Sequence, residues 1–248
     1  MISLKSKREI LIIQEAAEIL KAIFKKVQPE IKPGITTDEL DAMAEKIIRE
    51  RGGEPAFKGY RGFPKTACIS VNEEVVHGIP GKRKLKEGDL VSFDIGARVS
   101  GYYADAARTW PVGTAAPEKI RLMDTARESM EAGLKAYKPG CRIGDLSYEI
   151  QNVIEARGFH VVRDYVGHGI GRNLHEDPQV PNYGKAGQGP KIEPGLVLAI
   201  EPMVTEGDHA VRTLEDGWTV VTKNGLWASH YEDTIAFHEQ GYTNLTGE

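Results

Sequence analysis

A repeated segment constrains this chain more than anything else in it. KPGITTDELDAMAEKIIRERGG, beginning at Lys32, aligns without a gap on KPGCRIGDLSYEIQNVIEARGF, beginning at Lys138, at an offset of 138 − 32 = 106 residues. Downstream, GDLVSFD from Gly88 aligns on GLVLAIE from Gly195 at an offset of 195 − 88 = 107, which sets Asp94 opposite Glu201. Val76-His77-Gly78-Ile79 has an echo in Gly167-His168-Gly169-Ile170. A period this long describes two similar halves rather than a solenoid of short units. The expected fold is α+β, a single domain whose halves, at about residues 1–115 and 116–248, are related by a pseudo-twofold axis. Such an axis brings matched residues together beside it, so acids at equivalent positions can share one site.

Within each half the pattern passes from helices to strands. From Ser6 to Val27, Ile10, Ile13, Ala17, Leu20, Phe24 and Val27 recur every three or four residues and make one apolar stripe. Lys32-Pro33-Gly34 stops that helix; Thr36 with Glu39 has the form of a capping box and opens a second, which Gly52-Gly53 ends. Pro117 to Tyr137 occupies the opening helix's place in the second half. Ser100-Gly101, between LVSFDIGARV and YYADAARTWPV, reads as the turn of a hairpin. With Val99 paired to Tyr102, Asp105 stands opposite Gly96 and Asp94 lies two positions along the same face, a diagonal neighbour at roughly 7–8 Å. Asn224-Gly225 gives a second hairpin signal, between Thr219-Val220-Val221-Thr222 and the strand through Tyr231-Glu232-Asp233-Thr234, making Glu232 the counterpart of Asp105.

Asp94, Asp105, Glu201, Glu232 and His168 thus form a set of four carboxylates and one imidazole from five separated places. Carboxylates at that diagonal spacing can hold two metal ions about 3.5–4 Å apart. Like charges this close raise one another's pKa unless cations balance them, and two divalent ions would balance four carboxylates. Oxygen-rich ligation with one histidine suits manganese, iron, cobalt or zinc, and the residues leave that choice open. Singly, the members differ in force. Asp94 is an unusual mid-strand acid between Phe93 and Ile95, and Leu196-Val197-Leu198-Ala199-Ile200 runs into Glu201 as a buried strand would. Asp105 and Glu232 read equally well as surface acids on edge strands, and His168 between two glycines reads equally well as a turn histidine.

Composition narrows the classes. No apolar run approaches the roughly 18 residues of a spanning helix, and Glu15 and Glu18 interrupt any signal-peptide core, so a cytoplasmic chain with no membrane partner is expected. A formal net charge of −4 supplies no general field for nucleic acid, and the basic run from Lys82 to Lys86 reads as a solvated loop. Cys68 and Cys141 are expected to be free thiols.

At these residues the chain resembles the type I methionine aminopeptidases of the compact bacterial kind, over nearly its whole length. That family's pattern is an Asp, a second Asp eleven residues on, a GHGIG histidine, a Glu in IEP and a Glu shortly before Thr. It falls on Asp94, Asp105, His168, Glu201 and Glu232, which the resemblance assigns as ligands of two divalent ions. The fold it implies is the pita bread, two related α+β halves around a curved antiparallel sheet. It further implies that His77, in NEEVVHGIP, hydrogen-bonds the substrate and assists the leaving group, and that His175, in LHEDP, steadies the scissile carbonyl. Read alone, both also suit structural histidines. The implied methionine pocket is lined by Tyr60, Phe63, Cys68, Trp218 and His77, with Phe57 nearby, an apolar and sulfur-bearing wall apt for a thioether. One departure stands out: Asp233 follows Glu232 where many relatives have histidine, which touches the surroundings of the metal ligands. No insertion separates His168 from Glu201, as in type I and unlike type II.

The activity implied is removal of the initiator methionine, with small second residues preferred. A water or hydroxide bridging the metals would attack, and Glu201 would shuttle the proton. The expected partner is the amino-terminal methionine of a nascent polypeptide, met by a monomer in transient association with the ribosome and without specific nucleic acid. Two rivals are a proline-specific enzyme of the same fold, X-Pro aminopeptidase or prolidase, and a non-catalytic pita-bread binding protein. The first usually carries an extra amino-terminal domain, and the second lacks ligands that all stand here.

Overall fold

A computed structural model describes residues 1–247. Helix α1, Lys7–Val27, begins where the Ser6 hydroxyl accepts from Glu9 N and the Glu9 carboxylate accepts from Ser6 N. Helix α2, Thr37–Glu50, is closed in the same way by Thr36 and Glu39. Helix α3, Pro117–Lys135, opens on a proline, whose missing N–H would have had no partner there. In α4, Ile143–Ala156, Asp145 accepts from Arg142 N. Helices α2 and α4 are both 14 residues long, and their starts differ by 143 − 37 = 106, the offset of the sequence repeat. Among the described residues no helix is long and apolar enough to cross a membrane.

Each helix pair covers one sheet. The Leu90–Val99 strand pairs with Tyr102–Pro111, Ala67–Val71 and Glu54–Pro55, and alternation sends Phe93 and Ile95 towards α1 while Asp94 takes the other face. The expected register holds: Val99 faces Tyr102 and Asp105 faces Gly96. In the second half the order is Gly241–Asn244, Asp233–His238, Val197–Ile200, Gly167–Gly169, Glu176–Val180. There Leu198, Ile200, Ile235 and Phe237 pack with Leu122, Met130, Leu146 and Ile150 of α3 and α4.

The expected second hairpin does not form. Val220–Thr222 pairs with Val211–Thr213 and Glu74–Val76, Ala228–His230 pairs with Met203–Thr205, and Asp233–His238 pairs with Val197–Ile200. Asn224-Gly225 does turn the chain, with Gly225 at φ +73° and its N–H donating to Thr222 O at 3.4 Å. The strands leaving that turn find better partners elsewhere, because long-range pairing and burial outweigh a local turn preference.

The two sheets are stitched where Ala107 and Glu232 bond reciprocally, N to O, at 3.2 and 3.0 Å. Behind this seam, on the helix side, Arg108 donates to Ala107 O, Glu232 O and Thr246 O and pairs with Asp233 at 2.7 Å. Both side chains are at most 5% exposed. Asp233 also accepts from Thr246 Oγ1 and Asn244 Nδ2, so the residue that departs from the family pattern faces away from Glu232's carboxylate. Arg108→Met strands a buried carboxylate and should lower stability by about 3–5 kcal/mol in urea unfolding. A loss under about 1 kcal/mol would show that the seam does not depend on the pair.

Candidate metal centre

The seam explains why the acids meet. Cys68 faces Asp94, Asp94 faces Ala107 and Ala107 faces Glu232, and one further step from the Ile200–Asp233 pair sets Glu232 beside Glu201. These positions form one row across both halves, with strands about 4.8 Å apart and alternate side chains on the same face. A second row lies two residues along each strand, about 6.8 Å away. It holds Gly96 opposite Asp105, Thr234 opposite Ala199, and Ala199 opposite His168. Thr234 Oγ1 joins its two parts, accepting from Asp105 N at 3.0 Å and donating to Asp105 O at 2.7 Å. Ala107, fully buried between acids, leaves the space in which they converge.

His168 is fixed on the second row by glycines. A side chain at Gly167 would meet Ala199 O, and one at Gly169 would meet Asp177 O, so only glycine lets the strands approach on both sides. The ring is oriented through Nδ1, 2.9 Å from Gly169 O, which leaves Nε2 at 3.7 Å from Glu201 Oε1. A ring held in this way leaves Nε2 free to serve as a donor.

Burial, then mutual repulsion, pushes these carboxyls upward. Asp94 lies well above its usual range through burial and the charges of Asp105 and Glu201. Burial raises Asp105 to about 7, and Glu201 and Glu232 rise through burial and then their acidic neighbours. Asp94 Oδ1, Asp105 Oδ1 and Glu232 Oε1 are buried without a hydrogen-bond partner. Donor atoms of Asp105, His168 and Glu232 lie within 4.8 Å of one another, as do those of Glu201, His230 and Glu232. Unpartnered carboxylate oxygens around imidazole nitrogens fit divalent cations.

The acid rows open into a cavity of about 140 Å³. Its lining contains Phe57, Tyr60, Phe63, Cys68, His77, Asp94, Asp105, His168, His175, Glu201, Trp218 and Glu232, so all twelve residues singled out in the sequence converge there. This volume is close to the roughly 150 Å³ cavity that accepts benzene, enough for one side chain. Larger surface clefts of about 630 and 830 Å³ contain none of the clustered acids. His77 adopts φ +60°, a strained conformation for a non-glycine residue, and its ring lies edge-on to Tyr165 and Trp218. His175 stacks on Tyr60 and hydrogen-bonds its hydroxyl through Nδ1 at 2.9 Å. Burial pushes His77 and His175 to about 4 and His168 to about 3, so all three rings are neutral near pH 7. The Cys68 thiol is pushed well up by burial and the nearby acids and stays protonated; Cys141 is likewise a free, buried thiol.

Three residues escaped the sequence reading. Arg61 and Leu174 line the cavity, and His230 stands beside Glu201 and Glu232. For His230 a signal existed, since His-Tyr-Glu places residues 230 and 232 on one face of an extended strand.

Buried acids with unpartnered oxygens beside an apolar recess are the arrangement a metal-dependent hydrolase requires. The chain belongs to metallopeptidase family M24, whose description matches residues 12–239. It is similar to methionine aminopeptidase 1 of Bacillus subtilis (strain 168), 50% identical over 246 residues and 99% of each chain. A methionine aminopeptidase structure from Thermotoga maritima matches at TM-score 0.98 and 47% identity over 100% of both chains. A prolidase structure from Pyrococcus furiosus matches at TM-score 0.80 and 26% identity, over 99% of this chain and 65% of that one. The architecture is the pita-bread fold.

Because the cation-free acids hold protons near neutrality, a divalent cation must displace them, and affinity should rise with pH through about 7. Calorimetry at pH 7 in two buffers of different ionisation heat should show net proton release; none would contradict this electrostatic account. Ala107→Leu would fill the space between the acids, so cation uptake should fall by at least about tenfold, the scale of a disturbed metal site, with the helical circular dichroism kept.

Proposed function

We propose that this chain is a metalloaminopeptidase that removes the initiator methionine of new proteins, with residues 1–115 and 116–248 forming one catalytic domain. The observation that carries this reading is the juncture of two acid rows with a recess sized for one side chain. Asp94, Asp105, His168, Glu201 and Glu232 would hold two divalent cations, of manganese, iron, cobalt or zinc. When bound, these supply an acidified water and polarise the scissile carbonyl.

The chain's own residues do the rest. Phe57, Phe63, Cys68 and Trp218 take the methionine side chain, Cys68 as a neutral wall because its thiol keeps its proton. The substrate's amino group lies at the acid end, which explains selection of a chain terminus. Glu201 accepts the proton of the attacking water and passes it to the leaving amine. His175, steadied by Tyr60, donates a hydrogen bond to the developing oxyanion, and His77 hydrogen-bonds the peptide and assists the leaving group. The second residue meets the Tyr60–His175 stack, which favours small side chains there.

The substrate would be met as nascent chains leave the ribosome, in the cytoplasm, by a monomer in passing contact with it. A proline-specific activity is the weaker reading, since the prolidase match spans 65% of that chain whereas the methionine aminopeptidase matches span the whole of theirs or nearly so.

Peptide assays after chelation, with each metal added back, test the proposal. Met-Ala-Ser should lose methionine only with a divalent metal, Met-Arg-Ser far more slowly, and Ala-Pro not at all. Equal turnover of Met-Ala-Ser and Met-Arg-Ser, or metal-independent turnover, would count against it. Glu201→Gln should lower kcat about 10²–10⁴-fold and His175→Ala about 10²–10³-fold.

A further inference from the structure

His230 is 1% exposed, and neither ring nitrogen has a hydrogen-bond partner. Unsatisfied groups so deeply buried are uncommon and call for a physical reason. The backbone that carries the ring is fixed. His230 N donates to Ser92 Oγ at 3.3 Å and Thr109 Oγ1 at 3.2 Å, Thr109 Oγ1 donates to His230 O at 2.7 Å, and the two hydroxyls lie 2.7 Å apart. Ser92 and Thr109 face each other two residues along the strands from Asp94 and Ala107, so His230 continues the stack of rows on the acid-bearing face. Its Nε2 lies 3.5 Å from Glu201 Oε2 and 4.0 Å from Glu232 Oε2.

Those separations are long for hydrogen bonds, whose usual range ends near about 3.2 Å. They suit donors sharing one ion: metal bonds of about 2.0–2.2 Å set neighbouring ligands roughly 3–3.5 Å apart and opposed ones a little over about 4 Å. Glu201 is flanked symmetrically, with Oε1 at 3.7 Å from His168 Nε2 and Oε2 at 3.5 Å from His230 Nε2. Resting on the metalloenzyme reading above, we propose that His230 Nε2 is a further metal ligand, a second imidazole donor on the Glu201–Glu232 side of the ion pair. Two overlapping donor groups then stand out, Asp105–His168–Glu232 and Glu201–His230–Glu232, sharing Glu232 and each with one nitrogen, with Asp94 beside Asp105.

Two consequences follow from the rings. His168 is oriented through Nδ1 by Gly169 O, whereas His230 is held by its backbone and packing alone, so the His230 side binds its ion less tightly. A second imidazole also moves the preference from manganese towards iron, cobalt and zinc.

The test uses the full chain, stripped of metal and titrated with cobalt(II). Each coordinated imidazole gives a solvent-exchangeable N–H proton resonance shifted far from the diamagnetic range. The wild-type protein should show one lost in His230→Gln and one retained, and calorimetry should show one binding step weakened about 10–100-fold in the variant. His230→Asn should behave as His230→Gln does, with circular dichroism and metal-free unfolding reporting the fold of each. A single coordinated imidazole in the wild-type protein, or an unchanged isotherm in folded variants, overturns the assignment while leaving the metalloenzyme reading intact. Failure of the wild-type protein to bind cobalt(II) overturns both.

Discussion

The reciprocal pairing of Ala107 with Glu232 is the constraint on which the site depends. Without it there are two sheets, each with its own helices and two of the four acids. With it, Asp94, Glu232 and Glu201 fall into one row, and Asp105 and His168 into the next. The seam has two faces with opposite chemistry. On the helix side Arg108 and Asp233 form a neutral, hydrogen-bonded pair, with Arg108 stacked over Tyr231 at 4.3 Å. The guanidinium charge is paired with Asp233 and its bonds run to three carbonyls, so it does little to offset the acids on the reverse face. The acids therefore retain protons, and protons are what a divalent cation replaces.

The sequence showed the acids through duplication. Asp94 and Glu201 stand at matched positions in similar strands, and the tight Ser100-Gly101 turn between two ten-residue strands set the place of Asp105. The second half resisted the same reasoning. A turn at Asn224-Gly225 is present, but Val220–Thr222 pairs with Glu74–Val76, almost 150 residues earlier, and Ala228–His230 with Met203–Thr205. Local turn chemistry carries no information about such partners. Nor does it join Phe57, Cys68 and Trp218, which have no common spacing and came only through family resemblance. His230 lies just before the 231–234 segment, on a strand paired with Met203–Thr205, and the chain passes from that sheet to the next between His230 and Asp233.

Strain and rigidity are distributed unevenly around the cavity. His77 holds a left-handed backbone beside Gly78, whose own backbone lies so close to Ile69 O that a side chain would not fit. The Cys68 strand, by contrast, is a regular rung of the first sheet, and Phe63 packs edge-on against Trp218. The recess is therefore bounded by regular strand at Cys68 and by strained backbone at His77. That division matches a site whose selectivity comes from shape and whose chemistry comes from a few aimed groups.

The titration behaviour of the cluster separates two ways in which it can fail in acid. Burial holds Asp105 at about 7 but pushes His77 and His175 down to about 4. As pH falls from 7, protons compete for the carboxylates over a range in which both imidazoles are still neutral. Loss of activity between about pH 7 and 5 would then reflect weakened cation binding, and excess cation would restore it by mass action. Protonation of the histidines begins only lower, nearer their own values, and added cation cannot reverse it. A site built from elevated acids and depressed imidazoles thus places its pH sensitivity in cation binding rather than in the rings beside it.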